Sequence, residues 1–183
     1  MTDLSLSVLF GPGAIFRNAV LGGLLASNHS IVTSSLKALP RSTSAAYVLF
    51  GGAALWFLWI TWNSSPADNF DHPVLLTVAF AVVAVLSFQS VPDFLAVRGL
   101  AVLILLIAWH LRGAAYMEYD KPQRLLMVGP LFLVIATALW LGVQPFRLRD
   151  FFGWLFFRPA RTRAVGGALL VYGLALTAVA FTY

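Results

Sequence analysis

Five stretches of this 183-residue chain are each long enough and apolar enough to cross a hydrocarbon layer. Such a layer is about 30 Å thick, so a helix rising about 1.5 Å per residue needs about 20 residues to span it. The stretches are Ser44 to Trp62, Pro73 to Val91, Phe94 to Tyr116, Leu125 to Phe146 and Val165 to Phe181. Hydrocarbon offers no partner to a bare N–H or C=O, so a spanning segment must satisfy its backbone internally. No stretch alternates at period two, which argues against a β-barrel. The expected fold is all-α: a polytopic bundle of about five transmembrane helices.

Composition points the same way. Of the residues, 60% are hydrophobic and 10% charged, whereas a soluble domain is about half apolar and about a quarter charged. A disordered chain would need the opposite bias. There is no cysteine, which excludes disulfides, thiolate metal sites and a catalytic thiol.

The connections between spans carry turn chemistry. Asn63-Ser64-Ser65-Pro66 ends the first, Pro92-Asp93 separates the second from the third, and Met117 to Gln123 forms a polar turn before the fourth. Gly129-Pro130 predicts a kink in the fourth span. Short connections imply antiparallel neighbours, and residues 44–183 are read as a single five-helix domain.

Residues 1–43 differ. Gly11-Pro12-Gly13 interrupts an apolar run, and Arg17 and Asn18 fall inside its continuation. An arginine at mid-depth is expensive, while Ile15, Phe16, Val20, Leu21, Leu24 and Leu25 cluster amphipathically. This segment is expected to lie in the membrane interface; a sixth span or a re-entrant segment is the alternative. Asp3 stands where a signal peptide would carry basic residues, so no cleaved leader is expected.

Orientation follows from the cations. With the first loop placed outside, nine lysines and arginines lie inside (Arg17, Lys37, Arg41, Arg98, Arg147, Arg149, Arg158, Arg161 and Arg163) and three outside (Arg112, Lys121 and Arg124). The positive-inside bias puts the N-terminus in the cytoplasm and the C-terminus outside, as in a bacterial inner membrane. Trp56, Trp59 and Trp62 share a helical face near the outer boundary, where they read as interfacial anchors. The net charge of +5 is absorbed by this topology. No basic-aromatic module of a nucleic-acid binder is visible, so anionic lipid is the expected partner for the cations.

The most distinctive segment is Arg147 to Arg163 (RLRDFFGWLFFRPARTR). Arginines flank a run of phenylalanines and Trp154, a pattern that suits a leaflet surface with rings in the acyl boundary and guanidinium groups on phosphates. Arg147, Arg149, Trp154, Arg158, Arg161 and Arg163 are therefore the expected lipid- or partner-docking residues. Gly51, Gly52, Gly166, Gly167 and Gly173 are expected to allow close helix packing, within the bundle or with another subunit. Ser87, Ser90 and Thr77 should hydrogen-bond to their own helix or a neighbour.

Chemistry-bearing groups are sparse. His72 and His110 fall toward the outer half of the bundle, and with Asp68, Asp71, Glu118 and Asp120 they offer the one candidate cofactor site, for haem or a metal. No ligand-spacing motif joins them, and no metal site is expected. No span carries a central Asp, Glu or Lys, the relay residue of a proton-coupled carrier. The chain has no G-x-S-x-G, no H-E-x-x-H and no P-loop. These features favour a non-catalytic membrane subunit, scaffold or assembly factor that packs against other membrane subunits or itself and carries no cofactor. Two alternatives stand beside it: a small-molecule carrier or channel acting as an oligomer, or a haem- or quinone-holding redox subunit.

Overall fold

The computed structural model describes residue 23 and residues 29–69, 71–114 and 125–180. Every regular element among them is helical. In chain order these are α1 (Ser30–Ala38), a 3-10 turn (Leu39–Arg41), α2 (Thr43–Trp62), a single turn α3 (Pro66–Asn69), α4 (Pro73–Ser90), α5 (Leu95–Ala114), α6 (Leu125–Val143), α7 (Phe146–Leu155) and α8 (Pro159–Ala180). Most of the expected interfacial segment, and Glu118 and Asp120, lie outside the described residues.

Among the described residues three helices (α2, α4 and α5) are long and apolar enough to cross a membrane, and a fourth span results if the bent pair α6–α7 counts as one. The apolar character of α4 runs around all its faces. None of its 18 residues is buried, and Val74, Leu75, Val83 and Val85 are among its exposed side chains. A helix that is apolar all round belongs inside a large core or in lipid, and this one has no core around it.

Helix ends follow local chemistry. The Ser42 hydroxyl accepts from the Ala45 N–H at 3.1 Å and caps α2. Pro73 and Pro159 begin α4 and α8, where a missing N–H costs nothing. Pro159 starts α8 six residues ahead of the span expected at Val165. The fourth span also ends early. α6 runs through Pro130 as one helix, but the chain turns by 117° at the break before α7. Pro145 explains the turn: it has no N–H to donate and forces Gln144 away from helical geometry. The last helical bond is Gln144 N–H to Trp140 O at 2.8 Å.

The chain divides into two compact units. One comprises Ala38–Leu106 and Ala138–Leu148; the other takes in the described residues of Met1–Lys37, Ile107–Thr137 and Arg149–Tyr183. In the first, α2, α4 and the start of α5 pack together. Tyr47 stacks on Phe88 with ring centroids 5.1 Å apart, and Phe57 meets Phe80 edge-on at 5.0 Å. These pairings run in opposite directions along the chain, so α2 and α4 are antiparallel. Ala46, Leu95 and Ala96 form a small buried cluster beneath Phe50 and Phe88.

The tightest approach in this unit is at Gly99, where a Cβ would run into the backbone nitrogen and Cα of Phe50. Only the absence of a side chain lets α5 come this close to α2. By contrast, a Cβ at Gly51, Gly52 or Gly167 would meet nothing within 4 Å.

Hydroxyls in the helices mostly bond backward. Ser87 Oγ donates to Val83 O at 2.7 Å, and Thr61 and Thr137 do the same to Phe57 and Leu133. Thr77 breaks the pattern, since its Oγ1 is buried with no hydrogen-bond partner among the described residues. An unsatisfied buried hydroxyl costs about 1–3 kcal/mol. Thr77→Val is therefore expected to raise stability by about 1 kcal/mol, measured as the thermal midpoint in mild detergent. Gly99→Ala is expected to cost about 1–3 kcal/mol by overpacking. In the same assay Gly167→Ala should lose nothing, because its position is open.

Candidate functional site

Of the sequence features singled out as candidates, the arginine-aromatic segment is the one whose geometry is built in detail. Arg147 belongs to the three-helix unit. Its Nε donates to Gln144 Oε1 at 3.2 Å, and its guanidinium lies 5.7 Å from the Trp140 ring centroid and 5.5 Å from that of Phe146. The side chain is exposed, so its outer face stays open to an anion.

The rest of the segment, Arg149 to Arg163, lies in the second unit. α7 must end somewhere, and its last carbonyls have no partners within the helix. Arg161, from the first turn of α8, donates through Nη1 to Trp154 O at 3.2 Å. Thr162 donates through Oγ1 to Leu155 O at 3.0 Å. Thr162 is fully buried and Leu155 nearly so, which makes this a C-cap supplied by the next helix. Arg161 also sits 4.8 Å from the Trp154 ring centroid, a cation–π distance. The corner between α7 and α8 is thus locked by two residues of the sequence R-T-R.

Around that corner the remaining cations are outward. Arg158 and Arg163 are exposed, as are Phe151, Trp154 and Phe157. Phe151 and Trp154 stack with centroids 6.1 Å apart. Arg149 is paired with its neighbour Asp150 at 2.9 Å, and both side chains are about half exposed at 49%. An exposed pair between adjacent residues contributes little and leaves the guanidinium free to exchange partners. Phe156 carries the Lys37 ammonium 5.8 Å above its ring. Exposed rings beside exposed guanidinium groups can hold a surface that is apolar on one side and phosphate-bearing on the other.

The histidines are not brought together in one unit. His72 is the exposed N-cap residue of α4 and makes no side-chain cap bond; its carbonyl accepts from Leu76 N–H at 3.2 Å. His110 is half-buried in α5 and belongs to the other unit. Among the described residues no group of three or more His, Asp and Glu could hold a metal ion. Gly166 and Gly173 are buried in α8, whereas Gly51, Gly52 and Gly167 face open space. Trp59 and Trp62 are exposed and Trp56 is half-buried, and Arg112 covers Trp109 at 4.5 Å.

Two positions with a clear structural job were not singled out from the sequence for it. Thr162 stands in a run of arginines that draws attention to charge alone. Gly99 had a signal, since Ala96 and Gly99 lie about one turn apart on a span that is otherwise rich in large residues. No protein-family model matches the chain, and no curated protein or solved structure is significantly similar to it.

The arginines of the corner should therefore separate in experiment. Thr162→Val is expected to lower stability by about 1–2 kcal/mol, the cost of an uncapped buried carbonyl, and Arg161→Gln by about 0.5–1 kcal/mol, since its bond to Trp154 O is exposed. Arg163→Gln, which removes only an exposed charge, should leave the thermal midpoint in place. Equal effects at all three positions would mean that the corner is not held by these caps.

Proposed function

We propose that this chain is a non-catalytic integral membrane subunit or scaffold, with five spans, that packs against other transmembrane helices or a second copy of itself and against anionic lipid. The observation that carries the reading is the open glycine face of α2. Gly51 and Gly52 sit mid-span with nothing within 4 Å of where a side chain would begin. In lipid, association of helices depends on close van der Waals approach, which small residues permit. A pair of adjacent glycines also costs helix stability, about 1 kcal/mol each relative to alanine. Such a cost without a packing partner among the described residues is explained if the partner is another helix.

In this reading α8 is the fifth span and the segment containing α7 lies along the cytoplasmic leaflet. Arg147, Arg149, Arg158 and Arg163 meet lipid phosphates or an acidic partner, and Trp154 meets the acyl boundary. Arg161 is in this set by position but acts by holding the corner. The N-terminus is cytoplasmic, the C-terminus outside, and the membrane a bacterial inner membrane. The positive-inside count supports that orientation.

Two measurements test the proposal. Because the chain has no cysteine, single replacements report sidedness directly. Asn63→Cys is expected to react with an impermeant maleimide in intact cells, and Ser90→Cys only after lysis; the reverse pattern would overturn the orientation. In mild detergent the purified particle is expected to exceed the 19.9 kDa chain by a fixed protein mass. Gly51→Ile with Gly52→Ile should abolish that excess while the chain remains in the membrane fraction. A wild-type particle holding one chain and no other protein would remove the subunit reading.

A further inference from the structure

The three-helix unit has two clefts that follow one another along the α2–α4 seam. The first, of about 80 Å³, lies where the 3-10 turn, the start of α2, the end of α4 and the start of α5 meet. Arg41, Ser42 and Thr43 form its polar side, and Tyr47 and Phe88 its apolar side. The second, of about 230 Å³, lies farther along the same helices and is lined by Phe50, Ala54, Phe57, Phe80 and Val102 among others, with almost no polar surface. Phe50 of the second cleft touches Phe88 of the first edge-on, with centroids 5.3 Å apart. Polarity therefore falls in one direction along one seam.

Arg41 is not loosely placed. Its guanidinium lies 5.6 Å from the Phe94 ring centroid. Phe94 itself has φ 58°, a left-handed conformation that is rare for a bulky residue and costs on the order of 1–3 kcal/mol. The turn after Pro92-Asp93 holds that ring beneath the cation. Backbone strain that positions a ring under an exposed cation at the mouth of a cleft marks a built feature more than a random surface arginine.

We infer that this seam is a binding site for one anionic glycerophospholipid of the surrounding leaflet, with its phosphate at Arg41 and one acyl chain in the cleft at Ala54 and Phe57. The dimensions agree. From Ser42 to Ala54 is 12 helical residues, or about 18 Å along α2, which is about the reach of a single fatty-acyl chain from its ester group. Charge complementarity selects the headgroup, since a zwitterionic lipid brings an ammonium that Arg41 opposes. The inference rests on the proposal above only in placing the chain in a membrane. The site is distinct from the arginine-aromatic corner.

Native mass spectrometry of the full chain in mild detergent, offered equal phosphatidylglycerol and phosphatidylcholine, tests it. The wild type is expected to retain one phosphatidylglycerol in preference. Arg41→Gln should reduce that preference about fivefold, the attraction of one basic residue for an anionic lipid. Arg112→Gln removes the same charge elsewhere and should not. Ala54→Phe, which fills the apolar cleft, should lower retention of both lipids. Retention that survives a large excess of glycerol phosphate supports a lipid; complete displacement by it would overturn the acyl half of the site. Equal retention of the two lipids by the wild type overturns the inference without touching the subunit proposal, and needs no variant to fold. Recovery of the chain outside the membrane fraction would overturn both.

Discussion

A backbone in hydrocarbon must satisfy its own hydrogen bonds, and everything regular in this structure follows from that constraint. α4 shows it most plainly. It is a continuous 18-residue helix in which no residue is buried, so packing against the rest of the chain does not explain its formation. In water, an isolated helix of this length is marginal, and the valines that dominate its surface are poor helix formers. In lipid the alternative is a row of unpaired N–H and C=O groups, each costing several kcal/mol. Hence propensity gives way to the medium.

The same medium explains why helix contacts here rest on small residues and aromatic pairs. Lipid tails are as apolar as leucine, so burying leucine against leucine gains little and close approach gains more. At Gly99 the backbones of α2 and α5 come close enough to exclude a Cβ. Between α2 and α4, the Tyr47, Phe50 and Phe57 rings meet Phe88 and Phe80. These pairs set the register of the seam, because ring geometry is more directional than aliphatic contact. Gly51 and Gly52 lie on the same helix as these rings yet on an open face, so one span presents two differently finished surfaces.

Much of this was legible in the sequence. The start of α4 and the break at Pro92 are read from Pro73 and Pro92 because prolines act locally, and α2 begins at Thr43, one residue ahead of the expected Ser44. What could not be read depends on contacts between distant residues. The fourth apolar run continues to Phe146 by hydropathy, but the helix stops at Val143. Hydropathy averages over a window, whereas Pro145 acts on one hydrogen bond. Gly129-Pro130, the more obvious kink signal, leaves α6 continuous as one helix. Among the glycines, sequence alone could not separate Gly99 from Gly51, since packing depends on which face meets a neighbour. Composition likewise shows six residues suited to docking in the arginine-aromatic segment, but not that Arg161 is already engaged by Trp154 O.

That last distinction has a physical logic. A helix end leaves carbonyls without partners inside the helix, and where such an acceptor is buried, as Leu155 O is, leaving it uncapped is costly. α7 ends at Leu155 and α8 begins at Pro159, so the next helix stands close to these carbonyls. The cap comes from that helix, and it must carry donors. Threonine supplies one from a fully buried position; arginine supplies one while its guanidinium lies over the Trp154 ring. A lysine could donate there as well, but it would not lay a planar group on an indole. The arginines of this corner are thus not equivalent copies of one topological signal. One of them closes the turn, while Arg158 and Arg163 stay exposed beside it.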